Sequence, residues 1–213
     1  MNFKKLLIIV LVAISAINVN AQKANKKGII KLFNGKDFTG WKFQMSKDAD
    51  PANTWSIVDG MIHCVGKPNG FIRTVQPYSN FKVTTEWRFV KPGNTGVMVF
   101  MQEPDAVWPR CVECQGMHDH QGDFWIWGGV KFTKTPEMVL QNNGVIMQKA
   151  SAEKPVGEWN TYQVVCEGNS VEIIVNGQSM NKITGCDMST GYIGLQSEGA
   201  ELDIRSIIVE PLK

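Results

Sequence analysis

The sequence lacks an excess of charge of either sign. Its 22 lysine and arginine residues stand against 20 aspartate and glutamate residues. Two of the lysines, Lys4 and Lys5, fall in an N-terminal segment that we expect to be removed, which leaves a formally neutral chain. A protein that binds nucleic acid or anionic lipid needs a basic stripe to displace counterions. The composition therefore argues against both of these partners.

Long hydrophobic runs are also missing, apart from one near the N-terminus. Residues 6–17 are apolar except for Ser15, follow two lysines and precede a small residue at Ala21. About twelve apolar residues are too few to cross roughly 30 Å of hydrocarbon, and the pattern is typical of a secretory signal peptide. We expect a cleaved signal peptide at residues 1–21, a flexible segment at 22–28 and a single domain at 29–213. The mature protein would then be periplasmic or secreted, without membrane insertion.

The cysteines do not form a recognisable metal or redox motif. They are Cys64, Cys111, Cys114, Cys166 and Cys186, an odd number, so at least one stays unpaired within the chain. Cys111 and Cys114 have C-x-x-C spacing, but positions i and i+3 of a strand point to opposite faces. A redox pair would need a helix N-terminus, and a zinc site would need a second ligand pair. We therefore predict that both are packing residues that do not bridge each other.

A convincing helical pattern is absent beyond the N-terminal segment, whereas strand patterns recur. In "NFKVTTEWRFV", apolar and polar residues alternate with a period of two from Phe81 to Val90. Similar runs are "GVMVFMQ", "RCVECQGM", "DFWIWGGVKF", "EWNTYQVVCEG", "NSVEIIVNG", "GYIGLQS" and "ELDIRSIIVE". Turn residues separate them, including Asn176 and Gly177, an "NG" hairpin turn that needs positive φ. The pattern predicts an all-β fold, namely a two-sheet antiparallel sandwich or jelly roll.

One acidic residue and two histidines stand out in the stretch "CVECQGMHDHQGDFW". Glu113 lies between Val112 and Cys114, where a carboxylate is costly to bury unless a partner or a site stabilises it. His118 and His120 would share a face if the strand continued, and they could then bind a metal. The sequence "MHDHQGD" is, however, more typical of a loop. We expect no cofactor, and a divalent metal at these histidines is the alternative.

Five segments resemble, in the same order, the motifs of the 3-keto-disaccharide (3-keto-glycoside) hydrolase domain family, which was formerly a domain of unknown function. They are "LFNGKDFTGW", "GNTGVMVFMQ", "VECQ", "GEWNTYQVVCEGNSVEIIVNG" and "GYIGLQSEGAELDIRSIIV". The resemblance covers nearly the whole predicted domain, from about Ile29 to Glu210. Each motif is common by itself, but five in the same order are hard to obtain by chance.

The resemblance implies a concanavalin A-like or glucanase-like jelly roll with a carbohydrate cleft on its concave face. It also implies an oxidative route of glycoside cleavage, in which a separate sugar 3-dehydrogenase produces a 3-keto-glycoside as the substrate. The ketone at C3 acidifies the proton on C2. A base can then remove that proton, the enolate can expel the oxygen on C1, and addition of water completes a net hydrolysis.

The candidate catalytic residues suit this route better than a conventional one. A retaining glycosidase needs two carboxyl groups about 5 to 5.5 Å apart, and jelly-roll glucanases carry them in an E-x-D-x-x-E strand. The comparable strand here reads Glu113-x-Gln115-x-x-His118. We expect Glu113 and His118 to transfer protons and Arg88 to hold the enolate oxygen. The candidate substrate-binding residues are Glu86, Gln115, Trp125, Gln196 and Arg205.

Two functions of other classes remain open. The same fold serves as a non-catalytic carbohydrate-binding module, and a conventional glycoside hydrolase is the third alternative. Glu86 and Arg88 could equally be solvated charges on an exposed sheet, because polar alternation is typical of any half-buried strand. Trp125 could be a core residue. Glu198 stands where other members of the family often carry a histidine, a departure from the family pattern.

Overall fold

The computed structural model of the protein describes residues 28–213. The predicted signal peptide at 1–21 lies outside the described residues, as does the predicted flexible segment except for its last residue. Within 28–213 the chain forms strands and two short 3-10 helices, Ser46–Asp48 and Pro51–Asn53, which confirms the all-β fold. No helix in this part of the chain is long and apolar enough to cross a membrane.

Two antiparallel sheets form the sandwich, and we call them the back sheet and the front sheet. The back sheet contains β1 (Ile30–Lys31), β3 (Trp55–Val58), β4 (Met61–Cys64), β7 (Phe81–Lys91), β13 (Asn160–Glu167), β14 (Ser170–Val175), β15 (Gln178–Ile183) and β17 (Glu201–Pro211). Its strand order is β15-β14-β13-β7-β17-β4-β3, and β1 pairs with β17.

The front sheet contains the stretch that carries Glu113. Its strands are β2 (Trp41–Met45), β5 (Gly70–Thr74), β6 (Tyr78–Ser79), β8 (Gly96–Met101), β9 (Cys111–Gln115), β10 (Phe124–Trp127), β11 (Val139–Gln141), β12 (Gly144–Ile146) and β16 (Thr190–Ser197). Their order is β11-β12-β10-β9-β8-β16-β5-β2, and β6 pairs with β16. Strands β9 and β8 therefore lie in the middle of the sheet.

The core lies between the two sheets. In β7 the residues Phe81 to Phe89 alternate between buried and partly exposed, as the sequence predicts, and Trp87 and Phe89 point inward. Val112 and Cys114 of β9 meet them from the front sheet. Burial of each large apolar side chain contributes about 1.5 to 3 kcal/mol, so this layer supplies most of the driving force for folding.

Two local predictions are confirmed. Cys114 belongs to the core between the sheets, whereas Cys111 belongs to a smaller cluster on the opposite side of β9, and all five cysteines are free. Asn176 and Gly177 have φ values of 49° and 84° between β14 and β15. These angles are those of the predicted "NG" hairpin turn.

Other predicted strands differ in extent. Strand β10 stops at Trp127 instead of continuing through the run "DFWIWGGVKF", because Gly128 and Gly129 adopt φ values of 63° and 72° and turn the chain away. Strand β5 is buried at every position, so it carries no alternation by which it could be recognised. The loop character of "MHDHQGD" is confirmed, since β9 ends at Gln115.

Candidate active site

Glu113 lies on the outer face of the front sheet, in the middle of β9. Its neighbours Val112 and Cys114 both face the core, so alternation turns Glu113 and Gln115 to the other side. Trp125 is the residue opposite Glu113 on β10, so its side chain stands on the same face. Three of the predicted site residues are therefore together.

Gly96 packs directly against Glu113, where a side chain would not fit without displacing its neighbours. It pairs with Gln115 across β8 and β9, and a Cβ atom on it would lie 3.3 Å from Cγ and 3.4 Å from Oε1 of Glu113. The register of β8 and β16 sets Gln196 on the other side of Gly96. We call the surface formed by Gly96, Glu113, Gln115 and Gln196 the Gly96 cradle.

Burial and one short hydrogen bond set the charge state of Glu113. Its side chain is 2% exposed, and Trp127 Nε1 donates a hydrogen bond of 2.6 Å to its Oε2. The pKa of Glu113 is raised to about 7, chiefly by burial and also by the charge of Glu198, although the Trp127 hydrogen bond and the adjacent Gln196 amide act in the opposite direction. A carboxyl group with a pKa near neutrality can both accept and return a proton.

Several polar atoms around the cradle are buried without a partner. Both amide atoms of Gln196, and Nε1 of Trp125, make no hydrogen bond with any group in residues 28–213. The Gln196 amide is close enough to Glu113 to lower its pKa but lies outside hydrogen-bond geometry. Because buried polar groups are nearly always hydrogen-bonded, these atoms are available to the hydroxyl or carbonyl groups of a bound ligand.

The connection between β8 and β9, residues 102–110, passes over the same face, and we call it the strap. Arg73 of β5, which is 1% exposed, donates hydrogen bonds to Asp105 in the strap at 2.6 and 2.7 Å. Trp108 of the strap stacks on Trp127, with ring centroids 5.1 Å apart. The strap is thus linked to Glu113 through Trp127, and it covers one end of the outer face.

A cavity of about 210 Å³ opens at the other end. Gln115 and Trp125 line it together with His120 and Asp123, and Nδ1 of His120 lies 3.3 Å from Oδ2 of Asp123. Two cavities of about 480 Å³ and one of about 320 Å³ contain none of the cradle residues. Of the two histidines in this loop, His120 is the one that opens to the same space as the cradle.

His118 lies at the end of the sandwich, away from the outer face of the front sheet. Its Nδ1 is 3.0 Å from Oε1 of Glu153, and its ring packs edge-on against the core residue Phe89. The Glu153 carboxylate raises the pKa of His118. Ligand atoms of His118, Asp119 and Glu153 lie within 4.8 Å of one another, so this group could hold a metal ion.

Three predicted site residues, Arg88, Glu86 and Arg205, lie on the outer face of the back sheet. Arg205 forms two hydrogen bonds of 3.1 Å with Glu86. Arg88 donates to Asp203 at 3.0 Å. The structure does not bring these residues together with Glu113, because the core of the sandwich separates the two outer faces. The alternation in β7 correctly turns Arg88 away from the core, but it carries no information about which sheet β7 joins.

Sequence reasoning gave no role to three residues around the site, namely Gly96 and Trp127 beside Glu113 and Asn94 beside Glu198. Gly96 could not be found from the sequence, since its importance depends on which strands flank β9. Trp127 could have been found, because it alternates with Trp125 in "DFWIW". Asn94, whose Nδ2 donates to Oε2 of Glu198 at 2.6 Å, precedes β8 in a turn and shows no pattern.

Comparisons with known proteins agree with this architecture. The sequence pattern of the 3-keto-alpha-glucoside-1,2-lyase-like domain matches residues 28–210. A 3-keto-disaccharide hydrolase of Bacteroides thetaiotaomicron is 33% identical over 84 residues, which are 36% of this chain and 28% of that protein. The alignment therefore spans less than a third of that relative's length.

Solved structures share the fold at lower identity. A provisionally assigned glycosyl hydrolase of Parabacteroides distasonis superposes with a TM-score of 0.65 at 24% identity, over 87% of this chain and 94% of that chain. The β-glucanase of Bacillus licheniformis superposes with a TM-score of 0.59 at 14% identity, over 86% and 97% of the two chains. The sandwich is therefore a glucanase-like jelly roll.

Proposed function

Because the chain belongs to the family of 3-keto-alpha-glucoside-1,2-lyase-like domains, we propose that it is a hydrolase that cleaves the glycosidic bond of 3-keto-glycosides. The observation that carries the proposal is the buried carboxyl group of Glu113, with a pKa of about 7, beside the Gly96 cradle. A base of this kind is what abstraction of a proton next to a ketone requires.

The first step of the proposed reaction is the transfer of the C2 proton of the sugar to Glu113. The sugar ring would lie against the Gly96 cradle, beside the carboxyl group of Glu113. Negative charge then develops on the oxygen at C3. The unpartnered N–H groups of Gln196 and Trp125 are suited to hold this oxygen, and we assign to them the role that the sequence suggested for Arg88.

The second step breaks the bond between C1 and the glycosidic oxygen. The electron pair of the enolate forms the C1–C2 double bond, and the leaving oxygen departs with the electrons of the broken bond and takes up a proton. Water then enters the site and adds at C1, the proton on Glu113 exchanges with this water, and C2 regains a proton from Glu113. The sum of these steps is hydrolysis with no change in oxidation state.

The same proposal includes the cellular setting. A sugar 3-dehydrogenase would supply the ketone, because the hydrolysis itself neither makes nor consumes one. Both steps would take place in the periplasm or outside the cell, after removal of residues 1–21. The ketone already acidifies the C2 proton, so we expect no cofactor, and chelation with EDTA should change the rate little. Complete loss of activity that a divalent ion restores would contradict this and indicate the His118, Asp119 and Glu153 group.

The test compares two substrates that differ only at C3. Purified protein is incubated with a glucoside and with its chemically prepared 3-keto derivative, and release of the aglycone is measured. We expect release from the 3-keto compound alone. Cleavage of the plain glucoside would indicate a conventional glycosidase, and binding without cleavage of either compound would indicate a carbohydrate-binding module.

A further inference from the structure

We infer that Glu198 is the second proton-transfer residue of the site, which protonates the leaving glycosidic oxygen while Glu113 acts on C2. This inference rests on the proposed function and adds a residue that sequence reasoning did not assign to the site.

The register of three strands places Glu198 across the cradle from Glu113. Gln196 faces outward on β16, and Glu198 follows it by two residues, immediately after the strand ends. An isolated bridge pairs Glu198 with Asn94, which precedes Gly96 by two residues. On the other side of β8, Glu113 pairs with Met98, which follows Gly96 by two residues. The two carboxyl groups thus approach the cradle from opposite corners.

The surroundings of Glu198 hold its side chain toward this surface. The Asn94 amide donates a hydrogen bond of 2.6 Å to Oε2 of Glu198, and Oδ1 of Asn94 is buried without a partner among the described residues. The charge of Glu198 contributes to the raised pKa of Glu113, so the two carboxyl groups are near enough to influence each other's charge. Burial raises the pKa of Glu198 as well. Because each carboxylate disfavours the charge of the other, the pair favours the state that holds one proton between them, which is the state that a base and an acid working together need.

The two residues complete a balanced cycle. Glu113 starts ionised and takes the C2 proton, while Glu198 starts protonated and gives its proton to the leaving oxygen as the C1–O bond breaks. In the return half, the Glu198 carboxylate takes a proton from water as the water oxygen bonds to C1, and Glu113, whose proton has exchanged with the solvent, protonates C2. Both side chains end in their starting states.

A residue that protonates the leaving group accelerates cleavage only when that group is a poor leaving group. A sugar or alkyl alcohol must be protonated as it departs, whereas 4-nitrophenolate departs without a proton. Glu198→Gln keeps the size and the Asn94 hydrogen bond but cannot donate a proton. We expect it to slow cleavage of a 3-keto-glycoside with an alkyl aglycone by about 10² to 10⁴, and that of the 4-nitrophenyl compound by less than about tenfold.

The experiment measures both substrates with the wild type, with Glu198→Gln and with Glu198→His, which restores an acid. The matched control is Glu210→Gln, since Glu210 pairs with Lys82 at the end of β17. The ratio of the two rates is the readout, because a loss of folded protein cancels in it. The expected result is a changed ratio in Glu198→Gln, with the ratio recovered in Glu198→His and unchanged in the control.

A second readout separates this inference from the proposed function. In heavy water, Glu198→Gln should incorporate deuterium at C2 of unreacted 3-keto substrate, because Glu113 still removes the proton while elimination is slow. If the wild type cleaves the 3-keto substrates and Glu198→Gln shows an unchanged ratio, the role of Glu198 is disproved and the proposed function stands. If the wild type cleaves neither 3-keto substrate, the proposed function itself is disproved.

Discussion

At the scale of single residues, Glu113 combines a carboxyl group, almost complete burial and one strong donor. Trp127 is the donor, and it stabilises the ionised form because it can give a hydrogen bond to a carboxylate but cannot accept one. The same contact fixes the direction of the carboxylate over the cradle. Trp127 is therefore a positioning residue whose contribution is visible in the charge state of Glu113.

Removal of this donor gives a prediction about pH. Because Glu113 must be ionised to act as a base, activity should rise with pH through its pKa of about 7. Trp127→Phe keeps an aromatic ring but loses the N–H group, so the pKa of Glu113 should rise and the acidic limb of the rate profile should move to higher pH. The pH dependence of kcat/KM for a 3-keto-glycoside measures this shift. The matched control is Trp159→Phe, since Trp159 lies against Arg88 and Arg205 on the outer face of the back sheet, and it should leave the limb unmoved.

The same residue gives a prediction about stability. The pKa of Glu113 is raised from 4.5 to about 7 on folding, so the folded state binds a proton more tightly than the unfolded state and loses stability as pH rises from 4.5 through 7. Glu113→Gln removes this loss. When the pH is raised from 4 to 8, the free energy of unfolding of the variant should therefore increase relative to that of the wild type by on the order of 3 kcal/mol. Urea unfolding at the two pH values measures the difference, and a gain that does not change with pH would contradict the raised pKa.

At the scale of elements, period-two alternation identified β7 and the outward direction of its polar residues. It also showed that Glu113 and Gln115 share a face. Both conclusions depend only on residues that are close in sequence. The sheet to which β7 belongs is decided by pairing with β13 and β17, which are far away in sequence. For this reason Arg88 could be placed on a face but not in a cleft, and the strap could not be anticipated.

The strap gives a prediction that belongs to this scale. Asp105→Ala leaves the buried guanidinium of Arg73 with Glu103 as its remaining acidic partner. We expect a loss of about 2 kcal/mol in the free energy of unfolding, below the roughly 3 to 5 kcal/mol typical of a fully buried pair. The control is Glu201→Ala, which breaks the exposed pair with Lys91 and should lose about 1 kcal/mol or less. Equal losses in the two variants would show that the strap is not held by Arg73.

At the scale of the whole molecule, the two-sheet antiparallel jelly roll was predictable because nearly every long strand carries a readable pattern and a turn signal. The position of the site was not predictable from the sequence. It depends on how the two sheets stack and on Gly96, which has no side chain that could indicate a role. The outer face of the front sheet brings Glu113, Gln115, Trp125 and Gln196 together. Four of the eight predicted site residues therefore meet, and they do so around the one buried carboxyl group among them.

The most direct measurement of the central claim follows the proton on C2. The wild type and Glu113→Gln are incubated with a 3-keto-glycoside in heavy water, and the released 3-keto sugar is analysed by NMR and mass spectrometry. We expect deuterium at C2 of the wild-type product, and a rate lower by about 10² to 10⁴ in Glu113→Gln because the base is lost. Release of an unlabelled sugar, or full activity of Glu113→Gln, would contradict the account.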